Sequence, residues 1–174
     1  MNKTILYIAT SLDGLVAGKN DDISWLFRYN DVDYGYNQFF SKIGAIIQGR
    51  RAYDIEEQHG WENAHPVPTF VLSHDPPDRR PQREDIVFTA EDIAEVLKKA
   101  KQLTSKDVWI EGGANVAQQF LKRGLLDEIV LSVVPVILGD GIRLFGTTDG
   151  PIELSLLDVK RYEKGLVQLI YERG

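Results

Sequence analysis

Val108-Trp109-Ile110-Glu111-Gly112-Gly113-Ala114-Asn115-Val116-Ala117 is the stretch that decides the fold. Its first three residues are β-branched or aromatic and read as a short buried strand. Beyond the glycines, Val116, Ala117, Phe120 and Leu121 recur at the spacing of one helix face, and Gly124 is a natural C-terminal cap. A strand therefore passes into a helix through Gly112-Gly113. Glycines at such a junction let another molecule approach the backbone closely. The first N–H groups of the helix lack internal partners and favour a phosphate or pyrophosphate. The alternative is a tight turn in which the glycines serve geometry alone.

The same alternation extends toward the N-terminus. Thr89 followed by Asp92 resembles a capping box with Asp in place of Glu or Gln, and Ile93, Val96, Leu97 and Ala100 then recur at helical spacing. Strands are predicted at Ile5–Ala9, Ala45–Ile47, Thr69–Leu72 and Ile86–Phe88. A helix is predicted over Val32–Lys42, carrying Tyr36, Phe39, Phe40 and Ile43 on one side, and a short one over 51–58. Prolines at 76, 77 and 81 make 75–81 a surface loop. Toward the C-terminus the pattern changes to strands alone. Glu128–Val136 reads as a long strand whose Pro135 requires an edge or a bulge. Gly139-Asp140-Gly141 marks a turn, and Ser155–Leu157 and Leu166–Tyr171 form a hairpin through 163–165.

Alternating strands and helices imply right-handed crossovers and a largely parallel sheet, to which the final hairpin adds an antiparallel edge. The expectation is one α/β domain over residues 1–174, with no internal repeat and no linker.

The totals narrow the function classes. The sequence has 174 residues, of which 43% are hydrophobic and 26% charged, as in an ordinary globular domain. A net charge of −6 argues against a broad nucleic-acid footprint, though local positive groups can still hold an anionic ligand. The absence of Cys excludes disulfides, thiolate nucleophiles and Cys-based zinc sites. No apolar stretch approaches the roughly 20 residues that span a bilayer. The first apolar run is too short for a signal-peptide core, so a cytoplasmic location without membrane partners is expected.

Ligands of open α/β sheets collect beyond the carboxyl ends of the strands. Gly49-Arg50-Arg51, Leu72-Ser73-His74 and Gly112-Gly113 all follow predicted strands, and together they suit a nucleotide with phosphates. Arginines offer bidentate hydrogen bonds to phosphate, unless they are merely solvated surface charges. Asp13, in Ser11-Leu12-Asp13-Gly14, can accept hydrogen bonds from a substrate or stabilise its own turn. His59, His65 and His74 have no metal-ligand spacing and no carboxylate pattern around them, so no metal is expected. There is no P-loop, no nucleophile elbow and no GxGxxG leading from strand to helix.

These motifs, in this order, resemble the dihydrofolate-reductase-like superfamily, and within it the group of the riboflavin-biosynthesis reductase domain. The matching pieces are Ser11–Gly14, Ile47–Tyr53, Val71–Ser73, Ile110–Gly113 and the segment from Val134 through Phe145. The match runs from about residue 4 to about 172. It implies a mixed, mostly parallel sheet flanked by helices and an NADPH site over the strand ends. Gly49, Arg50 and Arg51 would meet the adenosine-side phosphates, with Leu72 and Ser73 lining the adenine-ribose region. Gly112, Gly113, Ala114, Asn115 and Val116 would hold the pyrophosphate, and Asp13 and Glu111 would face the nicotinamide and substrate.

Folate reductases proper carry an acidic pterin-binding residue on their first helix. Asp31 and Asp33 lie in that region, but their surroundings do not match. The deaminase usually fused to the riboflavin reductase domain is missing from this sequence. The resemblance therefore implies a standalone member and a homodimer. Its activity would be NADPH-dependent reduction of a small heterocyclic or ribosylamino-pyrimidine-like substrate, similar to 5-amino-6-(5-phosphoribosylamino)uracil reductase. The proton would come from water, Asp13 or Glu111. A non-catalytic nucleotide-binding or sensory module on the same fold is the alternative, and an interaction protein whose glycines only make turns is a third.

Overall fold

The β-branched runs pair side by side as an eight-stranded sheet in a computed structural model, which describes residues 2–61, 64–75, 81 and 83–174. In chain order its strands are β1 (Thr4–Ser11), β3 (Ile43–Gly49), β4 (Thr69–Leu72), β5 (Ile86–Thr89), β6 (Asp107–Gly112), β7 (Glu128–Val134), β9 (Leu154–Arg161) and β10 (Val167–Arg173). Two short strands, β2 (Leu15–Ala17) and β8 (Ile142–Arg143), form a separate antiparallel pair. The main sheet runs β5-β4-β3-β6-β1-β7-β10-β9. All pairs from β5 to β7 are parallel, and β10 and β9 add on antiparallel. This is the mixed, mostly parallel sheet expected from the strand–helix alternation.

Alternation of side chains across each strand separates two cores. On one face Leu6, Ile47, Val108 and Ile110 pack against α3 (Ile93–Leu103) and α4 (Ala114–Lys122) through Val96, Leu97, Ala117 and Phe120. On the other, Ile43, Ile46 and Trp109 meet Tyr36, Phe39 and Phe40 of α1 (Tyr36–Phe40). Tyr53 of α2 (Arg50–Gln58) packs there on Val71, Ile86 and Phe88. Among the described residues no helix is long and apolar enough to cross a membrane.

Several elements differ from the sequence reading. The helix expected over 32–42 forms only at Tyr36–Phe40, because Gly35 before it is left-handed (φ 79°). Asp33 ends the preceding turn there, its carboxylate accepting from the Asn37 N–H. The cap of α3 is Asp92 itself, which accepts from the Ala94 N–H at 2.9 Å, while Thr89 closes β5. β7 stops at Val134, so Pro135 falls just past the ladder and neither an edge nor a bulge is needed. Of the expected 75–81 loop, residues 76–80 lie outside the described residues.

Candidate functional site

The register aligns the carboxyl ends of four strands. Gly49 of β3 is opposite Leu72 of β4, Leu72 is opposite Thr89 of β5, and Gln48 is opposite Gly112 of β6. Past this edge lies a cavity of about 740 Å³. Both α2 and α4 start at it, and both N-caps are glycines, Gly49 and Gly113, with no side-chain cap bond. The partial positive charge of two helix starts, with their unbonded N–H groups, is thus directed at one space.

The glycines have separate reasons. A Cβ on Gly49 would come within 3.1 Å of Val116 Cγ2, so the two helix starts approach closely only because that position is bare. A Cβ on Gly113 would meet nothing within 4 Å, so its bare side faces open space. Gly112 has a φ of 119°, which disfavours any side chain, and it does not itself line the cavity.

Nearly all the sequence-predicted residues come together here. Gly49, Arg50 and Arg51 line the cavity on the α2 side, and Leu72 and Ser73 at the end of β4. Gly113, Ala114, Asn115 and Val116 line it on the α4 side, and His74 reaches it too. Arg50 Nε donates to Asp54 at 2.8 Å, and its guanidinium lies 5.6 Å from the Phe88 ring centre. Arg51 is exposed and pairs with Asp21, Nε to Oδ2 at 2.7 Å. Asp13 is not brought to the cavity. Its carboxylate accepts the N–H groups of Leu138 (3.1 Å) and Gly139 (2.8 Å). A hydrogen bond from the Ser11 side chain, followed by these two backbone bonds, holds the Asp13 pKa down at about 2. The turn-stabilising alternative is the one this geometry presents.

Glu111 does line the cavity, for a local reason. Ile47 pairs with Ile110 and Gln48 with Gly112, so Glu111 is the extra residue of a bulge in β6. Bulges redirect side chains. Here Glu111 meets two residues that sequence reasoning missed, Glu56 of α2 and His65. Burial raises the Glu111 pKa well above the ordinary carboxylate range, and the charge and hydrogen bond of Glu56 push it the same way. Burial also lowers His65 to about 4, helped by the Arg83 charge, so it is neutral near pH 7. Gln48 Nε2 donates to Glu56 Oε2 at 3.3 Å. The expectation that no carboxylates surround the histidines therefore fails for His65. Two are beside it, and the fold assembles them from elements that share no sequence motif.

Ile23, Leu26, Ala64 and Trp61 add apolar surface to the wall. The Trp61 ring stacks on His59 at 4.6 Å. The cavity wall thus combines two glycine-capped helix starts, apolar side chains and a protonatable carboxyl pair.

Known proteins share this architecture. YyaP of Bacillus subtilis (strain 168) is 32% identical over 184 residues, covering 97% of this chain and 94% of its own. A protein from Shewanella sp. PV-4 ascribed to riboflavin biosynthesis superposes with a TM-score of 0.88 at 28% identity, over 99% of both chains. Dihydrofolate reductase from Enterococcus faecalis, solved with NADP(H), superposes with a TM-score of 0.69 over 99% of this chain and 96% of its own. At 19% identity that likeness is one of fold, and the fold is dihydrofolate-reductase-like. The family described as the RibD C-terminal domain matches residues 2–168, nearly the whole sequence, and the chain belongs to that family.

Proposed function

We propose that this chain is a cytoplasmic reductase that uses NADPH to reduce a small heterocyclic, ribosylamino-pyrimidine-like substrate. One observation carries the reading: two uncapped helix starts and a protonatable carboxyl pair line one cavity. The α4 start at Gly113–Val116 suits a pyrophosphate. Arg50 and Arg51 at the start of α2 suit the 2′-phosphate that separates NADPH from NADH, and Leu72 and Ser73 suit the adenosine between them. When bound, NADPH supplies a hydride. The protein supplies the rest. Its apolar wall excludes water, and Glu111, kept protonated by burial and by Glu56, holds a proton at its carboxyl for the reduced substrate.

Titration of the purified protein with NADPH and NADH tests the first half. Micromolar binding of NADPH that clearly exceeds NADH supports the reading, and binding of neither removes it. The second half concerns catalysis. Glu111→Gln is expected to keep NADPH affinity within about threefold while lowering turnover of any substrate found by screening about 100-fold or more. Equal turnover would take the proton-donor role from Glu111.

The homodimer is proposed on β9, the outermost strand of the sheet. Its register places Leu154, Leu156 and Val159 on the face shared by Leu169 and Tyr171. All three β9 side chains are exposed, which leaves an apolar patch suited to a second copy.

A further inference from the structure

Glu56 comes from α2, His65 from the segment before β4, and Glu111 from the bulge of β6. His65 Nδ1 is 3.6 Å from Glu56 Oε1 and 3.6 Å from Glu111 Oε1. Those separations are too long for hydrogen bonds. They suit a different relation. A cation held at about 2.1 Å by imidazole nitrogen and carboxylate oxygen in tetrahedral geometry sets its donors about 3.4 Å apart.

We infer that Glu56, His65 and Glu111 form a divalent-cation site in the wall of the cavity. Their three ligand atoms lie within 4.8 Å of one another. All three side chains are only 14–15% exposed, so the cluster is shielded from water. An independent observation points the same way: Glu111 Oε2 is buried without a hydrogen-bond partner. A buried carboxylate oxygen in that state is costly, and a cation on the same carboxylate offsets the cost. Gln48 orients Glu56 from behind, as outer-shell partners of metal ligands do. The rings of Trp109 and Phe40, 4.9 and 5.5 Å from the His65 ring centre, hold the imidazole in place. Three protein ligands leave a coordination position open to the cavity, as in catalytic rather than structural sites. One nitrogen and two oxygens suit Zn²⁺, Co²⁺ or Mn²⁺.

The site stands apart from the reductase reading, because it needs no nucleotide. The two meet at one point. The same carboxylates cannot hold a proton and a cation together, so the cation-loaded protein is expected to lack the acid used in reduction.

The test is a Co²⁺ titration of chelator-treated, nucleotide-free protein, followed by calorimetry and visible absorption. One equivalent is expected to bind at micromolar concentration, with d–d bands that Zn²⁺ abolishes by displacement. Glu56→Gln and His65→Ala are each expected to weaken binding at least tenfold, with circular dichroism confirming that both fold. His59→Ala and His74→Ala, which remove the other two histidines, are expected to leave it unchanged. No saturable binding, or binding that survives Glu56→Gln and His65→Ala, overturns the site. NADPH binding without Co²⁺ binding would leave the reductase reading standing and remove this one.

Discussion

Gly113 separates the two readings of its motif. Its φ of −57° is ordinary for any residue, and a Cβ there meets no protein atom within 4 Å. Gly113→Val is therefore expected to fold with near-normal stability and to lose NADPH affinity about 100-fold, because its branches occupy the space a pyrophosphate needs. Retained affinity would assign the glycine to turn geometry. Asp13 makes a prediction of the opposite kind. Its folded pKa of about 2 is below the ordinary 3.8, so its carboxylate favours the folded state above pH 3.8. That contribution is lost as pH falls through about 2. Amide exchange at Leu138 and Gly139 is expected to accelerate over that window, and in Asp13→Asn to be fast already at neutral pH. Unchanged exchange in the variant would show that the turn holds without the carboxylate.

At the scale of elements, the strongest periodicities were the easiest to read. Ile93, Val96, Leu97 and Ala100 announce α3, and all four are buried. Phe120 of α4 is fully buried against the sheet. Phe120→Ala is expected to cost about 3–5 kcal/mol in denaturant unfolding, and a loss under 1 kcal/mol would show that α4 is not part of the cooperative core. Boundaries were less legible. Hydrophobic spacing shows the apolar side of 36–43 but not where the helix starts, because a left-handed Gly35 leaves no trace in it. The β2–β8 pair was missed, since two- and three-residue strands carry no period.

At the scale of the molecule, the strand ends show why two parts of the cavity wall differ in legibility. The helix starts are local, so Gly49-Arg50-Arg51 and Gly112-Gly113 could be read from their neighbours. The acidic cluster is not. Glu56, His65 and Glu111 meet only because α2 packs against β3 and β4 and a bulge sets Glu111 out of the β6 register. No pattern along the chain encodes that meeting. Assembly belongs to this scale as well. Leu156 is 55% exposed on the outer strand, and Leu156→Asp is expected to convert a dimer to monomer in light-scattering chromatography while the wild type elutes at twice the chain mass. A monomeric wild type would remove the β9 interface.

The two bare helix starts bear also on how long the protein lasts. A helix that begins on Ser or Asp carries its own acceptor for the first turn, and α2 and α4 begin on Gly49 and Gly113 instead. On the proposed function, an anionic ligand bound there would complete the secondary structure at both junctions. Ligand at a hundred times its dissociation constant adds about 2.7 kcal/mol to the folded state. The supply of such a ligand in the cell would then become a term in the survival of the fold, and starvation for it would expose the strand-to-helix junctions first.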